Sequence, residues 1–152
     1  PAEGGPKPAP PPARKVPAIT AEDRFPNGCV DCHVVYPELG LDTRLGTLMK
    51  RWSEGVEPRL LEAARAASPA GLELAGRHPL EEAALGDIPG ACLACHGRDS
   101  QAAPELAKMV HAVHLQGGED NHFMTLFQGE CTHCHKPVAV TGGFAMPSGP
   151  ER

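Results

Sequence analysis

The sequence predicts a fold that is mainly irregular, with short α-helices and little or no β-sheet, and three observations carry that expectation. The 152 residues include 17 glycines and 17 prolines, which interrupt regular structure throughout. Aromatic residues make up only 4% of the chain, so the large apolar side chains that dominate an ordinary core are scarce. The six cysteines fall in three close pairs, which makes their spacing more informative than their number. A chain of this length is expected to form one domain, and something other than Phe, Tyr and Trp has to fill its middle.

Taken in order, residues 1–19 (PAEGGPKPAPPPARKVPAI) are rich in proline and lack hydrophobic periodicity. They are predicted to form an extended, polyproline-like arm or linker, leaving 20–152 as the folded domain. A stiff segment of this kind suits a tether, and equally an arm that docks on a neighbouring subunit. Thr20, followed by Ala21, Glu22 and Asp23, is predicted to cap a short helical turn before Asn27-Gly28 redirects the chain. Helices are expected over 41–52 (LDTRLGTLMKRW) and 58–68 (PRLLEAARAAS). In the second, Pro58 suits the first turn, and Leu60, Leu61, Ala64 and Ala67 face one side. The strongest helix signal runs from Pro104 to Gln116, with Glu105 in the first turn and Gly117-Gly118 ending it. Leu106, Met109, Val110 and Val113 form its apolar stripe. His111 and His114, three residues apart, leave this helix in directions about 60° apart and can serve two different partners.

Every cysteine belongs to a C-x-x-C-H pentapeptide: CVDCH at 29–33, CLACH at 92–96 and CTHCH at 131–135. Each is preceded by a bulky apolar residue and a glycine-bearing turn (FPNG, IPGA, FQGE), at uneven intervals that exclude a regular solenoid. The pentapeptide is the signature of c-type haem attachment. One helical turn brings the two thiols to the two vinyl groups of a haem, and the next residue supplies an imidazole beneath the iron. On this reading Cys29, Cys32 and His33 hold the first haem, Cys92, Cys95 and His96 the second, and Cys131, Cys134 and His135 the third. A structural zinc site takes four ligands, typically two C-x-x-C pairs, and does not account for a histidine after every second cysteine. Disulfides leave those histidines equally unexplained.

With these motifs the chain resembles a small multihaem c-type cytochrome of the kind used in anaerobic respiration. The stretch KMVHAVHLQGGEDNHFMTLFQGECTHCH, residues 108–135, also resembles a segment of the outer-surface decahaem cytochromes of metal-reducing bacteria, in which an H-x-x-H helix precedes a C-x-x-C-H. In general character the chain is similar to multihaem cytochromes that polymerise into extracellular filaments. The resemblance implies three haem c groups, a haem-nucleated fold and electron transfer rather than catalysis.

An electron-transfer haem usually carries a second axial ligand, because a six-coordinate iron changes its geometry little on reduction. Three distal ligands are therefore required, and His78, His111, His114, His122 and His133 remain, with Met49, Met109, Met124 and Met146. His111 and His114 are the leading candidates, since one helix presents both and the resembling families use such pairs to serve two haems. His78, in GRHPL ahead of the second motif, and His122, in EDNHF, compete for the third place. His133 lies inside an attachment loop, points away from that iron and is expected to act as a hydrogen-bonding or surface residue. A fourth available histidine would suit a link to a neighbouring subunit.

Net charge is −5 with neutral histidines, and the basic residues are scattered, which argues against nucleic acid as a partner. Three haems, each adding about −1 from two propionates (about −2) and a ferric porphyrin (about +1), take the oxidised holoprotein to roughly −8 and favour basic redox partners. No run approaches the length of a membrane-spanning helix. Since haem c is attached outside the bacterial cytoplasm, the chain is expected to be exported, to the periplasm or the cell exterior, and a start at Pro1 suits removal of a leader or anchor. The expected role is electron transfer to other redox proteins, to copies of itself in a homopolymer, or to an extracellular acceptor. Alternatives are a periplasmic shuttle, the haem subunit of a membrane respiratory complex and, least favoured, a haem reductase.

Overall fold

The computed structural model describes residues 22–152. The Pro-rich arm at 1–19 and the Thr20 cap lie outside them. Among the described residues no helix exceeds ten residues, and the strands form two separate two-stranded antiparallel sheets. Short helices and little sheet are what so many glycines and prolines predict.

Glu22 and Asp23 are not helical. The Asp23 carboxylate instead accepts the Phe25 amide at 3.2 Å and the Lys136 ammonium at 2.8 Å, tying the start of this region to the third motif. Gly28 then takes a left-handed φ of 65° and leads into α1, Cys29–Cys32. A small hairpin of β1 (Val35–Tyr36) and β2 (Leu41–Asp42) follows. Two side chains fasten it to α1: the Tyr36 hydroxyl donates to the Cys32 carbonyl at 2.6 Å, and the Thr43 hydroxyl to the same carbonyl at 3.3 Å.

The predicted helix over 41–52 begins later, as α2, Leu45–Glu54. Asp42 delays it by accepting the Arg44 amide at 3.1 Å and the Thr47 hydroxyl at 2.9 Å, a local side-chain turn that competes with helix and leaves Leu41–Asp42 to pair as strand. The next prediction fits closely: α3 runs Pro58–Ala66 with its proline in the first turn. Its inner side buries Ala64 and Ala67, with Leu60 and Leu61 half-buried. A 3-10 turn at Glu82–Gly86 and another at Gly90–Cys92 lead into α4, Leu93–His96.

The long histidine-bearing helix, α5, spans Leu106–Leu115 and packs on α3. Pro104 stands ahead of its first turn, and the Glu105 amide donates to the Ala67 carbonyl at 2.9 Å. Gly117, at φ 98°, ends it. A short helix with no counterpart in the predicted elements, α6 (His122–Thr125), starts at Asn121, and β3 (Lys136–Val138) pairs with β4 (Gly143–Ala145) after the third motif.

Buried apolar residues among those described are few: Phe25, Val30, Met49, Ala64, Ala67 and Ile88. Phe25 and Ile88 are the apolar residues that lead the first and second cysteine pairs. Phe127, which leads the third, packs edge-on against Phe25 at 5.6 Å. Large apolar side chains elsewhere stay exposed, Leu80, Leu93 and Leu115 among them. Residues 149–152 fasten the first two motif regions together. Ile88 and Gly149 exchange backbone hydrogen bonds, Glu151 accepts the Gly46 amide at 2.7 Å, and Arg152 pairs with Asp31 at 2.9 Å.

Candidate metal centres

Each C-x-x-C-H pentapeptide is wound into a single helical turn. In the first, α1, the His33 amide donates to the Cys29 carbonyl at 2.8 Å. In the third, a 3-10 turn at Cys131–His133, the His135 amide closes on the Cys131 carbonyl at 2.9 Å in the same way. The second runs through the turn at Gly90–Cys92 into α4. All six cysteines are free thiols. Burial pushes Cys29 up to about 11 and Cys32 to about 12, and the neighbouring Cys134 adds to both shifts, so the first and third motifs adjoin. These thiols stay protonated at neutral pH and are poor spontaneous disulfide formers.

The histidine that closes each motif faces one histidine from elsewhere in the chain. His33 and His114 have ring centroids 6.0 Å apart with planes at 80°. His96 and His78 are separated by 5.8 Å with planes at 10°. His135 and His111 are 6.1 Å apart with planes at 21°. Metal–imidazole bonds of about 2 Å, with about 1.2 Å more from each nitrogen to its ring centre, put two rings on opposite sides of one ion a little over 6 Å apart. Ordinary ring contacts span this range too. Two further features set these pairs apart. Each joins one motif histidine to one outside the motifs, and the ring nitrogens are used in a consistent way.

That use is read from the carbonyls, which can only accept. Nδ1 of His33 donates to the Thr43 carbonyl at 2.7 Å, that of His96 to Pro104 at 2.7 Å, that of His78 to Pro79 at 2.7 Å and that of His114 to Val110 at 2.8 Å. In four of the six rings the proton is thus held on Nδ1, leaving the Nε2 lone pair as donor to a metal, the arrangement that orients histidine ligands in metalloproteins. Burial also lowers the pKa of His33, against the opposing pull of the Thr43 carbonyl, and so keeps the ring neutral as a ligand must be. His133 is the contrast: it is 2% exposed and donates from Nε2 to the Phe127 carbonyl at 2.9 Å, with Phe25 edge-on at 4.7 Å. It is a hydrogen-bonding residue, as expected, but in the interior rather than on the surface.

No family model, curated protein or solved structure matches the chain.

Of the four distal candidates, His78, His111 and His114 are each brought to a motif histidine. His122 is not; it is exposed, at the rim of a cavity of about 260 Å³ lined by His33, His114, Tyr36, Phe123 and Leu126. For the second motif, therefore, it is His78 that stands opposite. Its amide donates to the Trp52 carbonyl at 3.0 Å, and the Trp52 ring lies 6.3 Å away. The methionines do not compete in this way. Met49 is buried with its sulfur accepting the Glu81 amide at 3.1 Å, Met109 is half-buried on α5, and Met124 and Met146 are exposed.

Among the described residues no three or more His, Cys, Asp or Glu side chains converge as a bare ion would need. A c-type haem makes a smaller demand, since the porphyrin supplies four ligands and the protein two. Paired thiols on one turn, an adjoining imidazole and a second imidazole facing it are the donor set it requires. Two supporting residues had escaped the reading of the sequence. Asn121 accepts the amides of Phe123 and Met124 and so caps α6, a role its place in EDNHFMT signals. Pro104, the predicted helix start, lies ahead of the helix and offers its carbonyl to His96.

Proposed function

We propose that this chain is an exported trihaem c-type cytochrome that passes electrons between redox partners. The observation that carries the reading is the set of three imidazole pairs, each joining a C-x-x-C-H histidine to a single histidine outside the motifs. Iron held between two imidazoles cycles between ferric and ferrous with little change of geometry, which is what rapid one-electron transfer needs.

The residues divide the work simply. Cys29 and Cys32, Cys92 and Cys95, and Cys131 and Cys134 form the thioether links. His33, His96 and His135 are the proximal ligands, and His114, His78 and His111 the corresponding distal ones. The exposed Leu80, Leu93 and Leu115, each within two or three residues of a ligand, supply apolar surface for porphyrin to cover. Covering them offers a protein with few buried apolar residues the core its own side chains do not make, hence a haem-nucleated fold. The stretch leading into and along α5 organises the set: Pro104, two residues ahead of the helix, orients His96, and His111 and His114 follow on the helix one turn apart.

Because each motif histidine has a partner in the same chain, no centre needs to borrow a ligand from another subunit. This favours a self-contained carrier or module over a polymer joined by shared ligands. A distal imidazole at every centre also argues against a reductase, which needs an open coordination position. The net charge of −5 favours basic partners, and covalent haem attachment, which takes place outside the bacterial cytoplasm, supports export.

The test is direct. Chain produced with a c-type haem maturation system should gain the mass of three haems under denaturing conditions and give a haem-to-protein ratio of three by alkaline pyridine spectroscopy. The C92S/C95S variant should carry two. A chain that matures without covalent haem overturns the proposal.

A further inference from the structure

Asn121 is one of two buried polar residues among those described, and it sits against the end of α5 that carries His114. Its side-chain nitrogen donates to the carbonyls of Val113, His114 and Gln116 at 3.2, 2.7 and 2.6 Å. These are carbonyls that a helix leaves without internal partners at its C-terminal end, and two N–H groups are shared among the three. Its side-chain oxygen accepts the Phe123 amide at 3.0 Å and the Met124 amide at 3.4 Å. One side chain thus closes α5 and opens α6.

Phe123, in the first turn of α6, presents its ring edge-on to His114, with centroids 5.4 Å apart and planes at 87°. The Val110 carbonyl also holds the imidazole, through Nδ1. Two contacts therefore fix the plane of His114, and Asn121 positions the residue that makes one of them. That plane lies at 80° to His33, whereas the other two pairs are within 10° and 21° of parallel.

We propose that Asn121 is a positioning residue for His114, holding this imidazole perpendicular to His33 and giving the first centre a ligand geometry unlike that of the other two. The proposal rests on reading the imidazole pairs as axial haem ligands. The mutual orientation of two axial ring planes sets the splitting of the iron d orbitals. A perpendicular pair therefore gives a strongly anisotropic low-field signal in the ferric state, and a near-parallel pair gives a rhombic one.

Electron paramagnetic resonance of the oxidised holoprotein is the test. The unmodified protein should show one strongly anisotropic low-spin signal and two rhombic ones. N121D keeps an acceptor for the Phe123 and Met124 amides but removes both donors to α5. It should shift or abolish the anisotropic signal alone, leaving the other two as internal controls of folding. N121S, which keeps an acceptor and a single donor, should shift it less. A spectrum of N121D superimposable on the parent overturns the proposal. So does the equal loss of all three signals in both variants, which would mark Asn121 as a general structural residue, and so do three low-spin haems with no anisotropic signal in the parent. A parent protein without three low-spin haems overturns the ligand reading itself, and this outcome is distinct from the others.

Discussion

His78 and His96 face each other with ring planes 10° apart and centroids separated by 5.8 Å, and each gives its Nδ1 proton to a proline-linked backbone carbonyl, of Pro79 and Pro104 respectively. A loop residue with no helical periodicity around it thereby uses its ring nitrogen as the helical His114 does.

If His78 is the distal ligand of the second centre, H78A should leave all three haems attached while about one third of the iron becomes high-spin, since five-coordinate ferric haem is high-spin. The visible charge-transfer band and electron paramagnetic resonance both report this. H122A should leave every centre low-spin. The reverse pattern would exchange the roles of these two histidines.

Ligation within one chain predicts insensitivity to dilution. Low-spin spectra should hold from concentrated to strongly dilute solution, with light scattering showing the monomer at the lower end. Appearance of high-spin iron as the species dissociates would mean that a ligand crosses between subunits.

The Asp42 carboxylate is held well below its ordinary value near 3.8, first by hydrogen bonds from the Arg44 side chain and also by the Thr47 hydroxyl. A depressed folded pKa contributes stability that is present above the ordinary value and is lost as pH falls through the folded one. Thermal unfolding followed from pH 6 downward should therefore show an added loss below about pH 4 that D42N lacks. The pair is only half-buried and reaches solvent, so the difference should be small and should shrink in high salt.

Gly117 ends α5 at φ 98°, and a Cβ there would collide with the Arg59 guanidinium, whose nitrogen donates to the Gln116 carbonyl at 2.6 Å. G117A should cost about 1 to 3 kcal/mol, the range for a non-glycine residue forced into a left-handed conformation. Denaturant unfolding measures it. G118A, with nothing near its Cβ but φ at 57°, should cost less.

Much of this arrangement was legible in the residues, because its strongest signals are local. Three cysteine pairs with a trailing histidine, Pro58 at a helix start, and an H-x-x-H helix closed by two glycines each depend on neighbours in sequence. What escaped depends on partners far along the chain. The strand at Leu41–Asp42 lies inside a helical pattern and is set by pairing with Val35–Tyr36. That His78 rather than His122 faces His96 turns on where two loops meet, which no periodicity encodes. Asn121 was readable as a cap for α6, but its second task, closing α5, becomes visible only when both helix ends are in place.

Helix α5 carries His111 and His114, and Pro104, two residues ahead of it, accepts the His96 proton, so this one stretch of chain reaches all three pairs. It acts as a common mount. Thermal motion that displaces it carries the two distal rings together, and their separation follows the rise of a helical turn rather than the wandering of loops. On the proposed reading of the chain as an electron carrier, this matters more than the position of any one centre, since transfer rates fall steeply with distance and a fixed mount keeps the steps even.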